Sequence, residues 1–181
     1  MIAHLKAAGR LRPALLQRID SWDKLREQVT SAQTQQRELE MTLIERRALV
    51  AVVDLDWDDV VNRLSGTAFL VSGKQADQDP YAALFGTVKS KDARQMGPAK
   101  AATFGKYTVA RGEGLAHPEL EALLDELKTL SDELIEADTS RDEADIELAM
   151  FRQTNKELAR AIEQEVAETE IAILTAAKGR R

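Results

Sequence analysis

The chain has 181 residues, with 25 Lys plus Arg, 31 Asp plus Glu, two His and no Cys, for a net charge of −6. That length allows one domain or one elongated unit with a small insert, and the 44% hydrophobic fraction is too high for a disordered chain. Aromatic residues at 4% exclude a large aromatic core, and the lack of Cys excludes a disulfide framework, a thiolate nucleophile and a Cys metal site.

Glycine placement divides the chain. Seven of the nine Gly, from Gly66 to Gly114, and five of the eight aromatics lie between positions 66 and 114. An interior Gly costs a helix about 1 kcal/mol relative to Ala, so the Gly-poor flanks suit long helices. The expected fold class is mainly α: a long antiparallel helical hairpin, coiled-coil in pattern, carrying a small β-containing insert at its tip. The expected boundaries are an N-terminal segment over 1–12, a first helix over 13–65, an insert over 66–114, a second helix over 115–178 and a tail over 179–181.

Pro13 suits the first position of a helix. From Leu15 a seven-residue repeat runs through Trp22, Val29, Gln36, Leu43, Val50, Trp57 and Leu64. Its companion position holds Arg18, Leu25, Ala32, Leu39, Arg46, Val53 and Val60, so 12 of 15 seam positions are apolar. Gly66 stands where a terminating glycine belongs. β-Branched residues followed by Asp54, Asp56, Asp58 and Asp59 predict a kink or short break near position 54.

Within the insert, Thr67 to Val71 and Tyr107 to Ala110 read as strands, with Gly86 to Lys89 a weaker third. Tyr81 to Phe85 reads as a helical turn after Pro80, while Pro98 to Thr103 is Ala-rich and ambiguous. A small sheet or hairpin would bury Phe69, Phe85, Phe104 and Tyr107. The second helix is expected to start at His117-Pro118, with Glu119 and Glu121 matching the helix dipole. Its seam runs Leu120, Leu123, Leu127, Leu130, Leu134, Ala137, Arg141, Ala144, Leu148, Phe151, Asn155, Leu158 and Ile162, and weakens at Glu165 and Thr169. Sixty helical residues at 1.5 Å each would make the molecule a rod of about 90 Å.

Trp22, Leu25, Val29, Gln36, Leu39 and Leu43, with Leu127, Leu130, Leu134, Leu148, Phe151, Asn155, Leu158 and Ile162, are therefore the candidate oligomer and coiled-coil seam. Gln36 and Asn155 are candidate register-fixing residues, and Arg18, Arg46 and Arg141 candidate partner-facing ion pairs. Apolar residues off the seam (Leu16, Ile19, Ile44, Leu49, Leu124, Ile146) suggest packing on further helices, which favours an oligomer over a monomer. The alternative is that they thicken the hairpin's own core.

Residues 66–114 carry a net +3 and residues 115–181 a net −9. Lys89, Lys91, Arg94, Lys100, Lys106 and Arg111 are the candidate partner or anion contacts. With Phe104 and Tyr107 nearby they suit a phosphate backbone, although a basic insert meeting an acidic helix of another copy ranks higher than nucleic acid. The Asp54–Asp59 cluster has D-x-D-x-D spacing but lacks the Gly and distal Glu of a calcium loop, so capping or a solvated turn is the expected role. Neither His4 nor His117 has a nucleophile partner in a motif, and no phosphate-binding Gly loop is present. No enzyme activity, cofactor or metal is expected.

The longest apolar run, Ala48 to Val53, is six residues, against about 20 to span a bilayer. No membrane contact is expected, and the N-terminus lacks signal-peptide regions. The expected location is the cytoplasm or a virion or other particle. In layout alone, helix, β-containing insert and helix is similar to prefoldin subunits, and it also resembles flagellin-like filament subunits. The sequence reading is a non-enzymatic structural protein, possible in a phage or other large particle, that oligomerises through its helices. The alternatives are a prefoldin-like chaperone or adaptor, and a nucleic-acid-binding rod.

Overall fold

A computed structural model describes residues 16–115 and 117–178. The expected helix start at Pro13, the seam residue Leu15, His4 and the two terminal segments lie outside the described residues. Five helices are found among those described: α1 (Leu16–Val71), α2 (Tyr81–Phe85), α3 (Ser90–Ala93), α4 (Pro98–Gly112) and α5 (Pro118–Lys178). The protein is mainly helical with long helices. No strand occurs among the described residues, so the β-containing insert, and with it the β-built base implied by the prefoldin layout, is replaced by three short helices.

The helical outcome follows from burial at a 3.6-residue rather than a two-residue period. Over Thr67 to Val71, Ala68 is buried with Leu64 one turn before it, while Phe69 and Leu70 are exposed. Alternation would have buried every second residue. α1 therefore continues through Gly66 and ends at Val71, and the residues with positive φ that follow it are Gly73, at 66°, and Lys74, at 64°. Around Asp54 the helix is unbroken. Ser72 fastens the end of α1 to the start of α2: its hydroxyl donates to the Ala68 carbonyl at 2.8 Å and accepts from the Tyr81 amide at 3.0 Å.

The chain divides into two compact units, one formed by Thr42–Asp145 and the other by Met1–Met41 with Ile146–Arg181. In the first, α1 and α5 run antiparallel and close on α4. The core takes Trp57, Val60 and Leu64 from α1, Leu120, Leu127 and Leu134 from α5, and Leu84 and Phe85 from α2, all at most 1% exposed. α4 turns a face of small residues inward (Ala101, Gly105, Thr108 and Gly112), spaced four, three and four apart. A Cβ at Gly112 would lie 2.5 Å from Leu124 Cδ1, so glycine sets how closely α4 approaches α5. Ring contacts continue the core from Trp57 to Phe104 (6.4 Å), Phe85 (6.3 Å) and Tyr81 (5.1 Å). Of the four aromatics expected to be buried, Phe85 is fully enclosed and Phe104 half-buried. Phe69 is 37% and Tyr107 63% exposed, because both lie on the outer sides of helices rather than on a sheet face.

In the second unit α1 and α5 again pair antiparallel. Ile19 is buried beside Trp22, Ala172 and Ala176, and Arg152 reaches Glu40 at 3.4 Å.

Candidate association surface

The predicted seam is the intramolecular helix pair. Leu43, Leu127, Leu134 and Leu148 are buried, and Trp22, Leu25, Val29, Gln36, Leu39, Leu130, Phe151, Asn155, Leu158 and Ile162 are half-buried. Three of its polar members, Gln36, Arg18 and Arg141, have partners within the chain. The Gln36 amide donates to Glu40 on its own helix at 2.8 Å. Arg18 binds Glu165 at 3.1 Å and Glu168 at 2.5 Å, which holds the guanidinium pKa above its ordinary value. Arg141 binds Asp138 and Asp142 at 2.8 and 2.7 Å, while Arg46 is exposed.

Two hydroxyls of α5, Thr169 and Ser131, are used between the helices. Trp22 Nε1 donates to Thr169 Oγ1 at 2.9 Å, and Trp57 Nε1 donates to Ser131 Oγ at 3.1 Å. A buried indole N–H needs an acceptor, and a short hydroxyl on α5 supplies it in each unit.

With the seam closed inside the chain, the surplus apolar residues can be placed. Within the Thr42–Asp145 unit, Ile44 is 57%, Val52 56% and Leu55 68% exposed. Ala48 and Ala51 between them are exposed as well. Positions 44, 48, 51 and 55 follow a 4,3,4 spacing, which puts them on one stripe of α1, with Val52 at its edge. The stripe faces away from Val50, Val53 and Trp57, so this segment is apolar on two opposite sides. The sequence reading named Ile44 among off-seam residues but not the row. A second 3,4 repeat in opposite phase to the first was the available signal.

Charged groups border the stripe. Arg47 lies 3.5 Å from Asp145, both well exposed. Asp54 and Asp58 are half-buried on successive turns of α1 and both have raised carboxyl pKa values. Desolvation is the cause at Asp54. At Asp58 desolvation leads, the Asp54 charge adds to it and Arg94 opposes it. Asp59 pairs with Arg63 at 2.8 Å, and Arg63 also reaches Glu126 at 2.6 Å. Among the described residues no group of three or more His, Asp or Glu is placed to hold a metal ion.

The six basic candidates do not form one patch. Lys89 precedes α3, Lys91 lies in it and Arg94 follows it. Lys106 is held by Asp132 at 2.7 Å, and Arg111 Nη1 donates to the Leu84 carbonyl at 3.5 Å. Lys100, Tyr107 and Arg111 share the outer side of α4, all exposed. None of the helices is long and apolar enough to cross a membrane, among the described residues. No protein-family model, curated protein or solved structure matches the chain.

Proposed function

We propose that the protein is a non-enzymatic assembly subunit that associates through the outer stripe of α1, as part of a larger particle or scaffold. The observation that carries this reading is the row Ile44, Val52 and Leu55, more than half exposed on the side of α1 remote from a completed core. Apolar surface left in water favours burial by about 25 cal/mol per Å², and an apolar row at helical spacing is the form a partner helix recognises. Sedimentation velocity with light scattering at two protein concentrations tests it. A mass rising above 20.1 kDa with concentration is the expected result, and a monomer throughout refutes the reading.

A second reading has its own observation: Lys100, Tyr107 and Arg111 on one exposed side of α4 suit an anionic partner, nucleic acid included. Salt-sensitive binding of a single-stranded oligonucleotide, weakened by Lys100→Glu with Arg111→Glu, would support it. Binding that ignores both changes would remove it.

A further inference from the structure

We infer that the stripe Ile44–Ala48–Ala51–Leu55 is covered by the same stripe of a second copy, the two α1 helices lying antiparallel. This inference rests on the assembly reading and names its partner and geometry. Positions 48 and 55 occupy one seam position of an outer heptad, and 44 and 51 the other. In an antiparallel pair these meet alternately, so Ile44 packs on Leu55 of the second copy and Ala48 on its Ala51. Two-fold symmetry repeats each contact, which is what one self-complementary patch requires. The central alanines let the backbones approach closely, and the large aliphatics close both ends.

Charge decides the direction. Arg47 and Asp54 occupy equivalent flanking positions one heptad apart. Antiparallel packing sets Arg47 of each copy beside Asp54 of the other and makes two symmetric ion pairs. Parallel packing instead sets Asp54 beside Asp59 of the second copy, a like-charge contact. Asp54 has no ion-pair partner in its own chain among the described residues, and Arg47 holds only a well-exposed contact with Asp145. The second copy therefore supplies the cation that this half-buried carboxylate lacks.

The test is sedimentation velocity over a hundredfold concentration range on the full chain and four variants. The wild-type protein is expected to pass from monomer to dimer. Leu55→Glu, at a 68% exposed site where folding is not at risk, should shift the dimerisation midpoint at least tenfold upward. Arg47→Glu and Asp54→Arg should each weaken dimerisation, because each sets like charges face to face. The double variant Arg47→Glu with Asp54→Arg should restore it. An equimolar mixture of the two single variants should form heterodimers, since both cross-copy pairs then become opposite in sign. Circular dichroism of each variant confirms that the helices persist. Self-association unchanged in Leu55→Glu overturns this interface and the outer-stripe part of the assembly reading, leaving only self-association through another surface. Weakening by Leu55→Glu without rescue by the charge swap overturns the antiparallel geometry. A wild-type monomer throughout overturns the assembly reading and this inference together.

Discussion

Gly105→Ala should be strongly destabilising although alanine is the better helix former. Propensity alone favours the change by about 1 kcal/mol. Gly105, however, is where α4 meets both long helices. A Cβ there would fall inside van der Waals contact of Ser131 Oγ, 2.9 Å from Trp57 Nε1 and 3.3 Å from Ser131 Cβ. The Ser131 hydroxyl is not free to swing aside, because it donates to the Leu127 carbonyl at 2.7 Å while accepting from Trp57 at 3.1 Å. Overpacking costs roughly 1–3 kcal/mol, and breaking the Trp57 bond with its donor still buried adds roughly 1–3 kcal/mol. After the propensity gain, a net loss of about 1–5 kcal/mol is expected. Urea titration followed by circular dichroism measures it, with Gly66→Ala as the control. Gly66 is an exposed helical residue with nothing within 4 Å of its added Cβ, so that variant should gain about 0.5–1 kcal/mol. Equal stability of Gly105→Ala and wild type would refute the close approach of α4.

Three further outcomes follow from single groups. Thr108 Oγ1 is buried without a hydrogen-bond partner among the described residues, so Thr108→Val should stabilise by about 1 kcal/mol in the same titration; a loss would reveal an acceptor. Ser131→Ala should cost about 1–3 kcal/mol, because it leaves the fully buried Trp57 N–H unpaired, and a neutral result would contradict that bond. Asp58→Asn should stabilise at pH 7. Desolvation first, then Asp54, raises its folded-state pKa, so the carboxyl's contribution is full below the unfolded pKa and lost as pH rises through the folded value. The advantage of the Asn variant should therefore shrink on acidification and vanish below the unfolded pKa; a gain that ignores pH would refute the assignment.

The long helices were legible because the 3,4 apolar repeat is unbroken where it matters: Trp57, Leu64, Leu127 and Leu134 are all essentially inaccessible. The middle segment was not. Gly105, Thr108 and Gly112 share a buried helix face with Ala101 although glycine and threonine prefer turns or strands, and the packing that selects the helix comes from residues remote in sequence. Thr169 read as a defect in the seam because the pattern counts apolar side chains and cannot see that Trp22 needs an acceptor there. The outer row at Ile44 and Leu55 was hidden by sharing its period with the seam. Only the exposure of these residues separates the two faces.

The two tryptophans have a practical consequence. They are the only indoles in the chain, one in each compact unit, Trp57 sealed from solvent and Trp22 half-buried. Their fluorescence should separate into a blue, quencher-resistant component and a redder one that acrylamide reaches. With Trp22→Phe and Trp57→Phe in hand, each unit reports its own melting optically, without any attached dye. Because the chain has no cysteine, a single introduced thiol would carry a second label to a chosen residue.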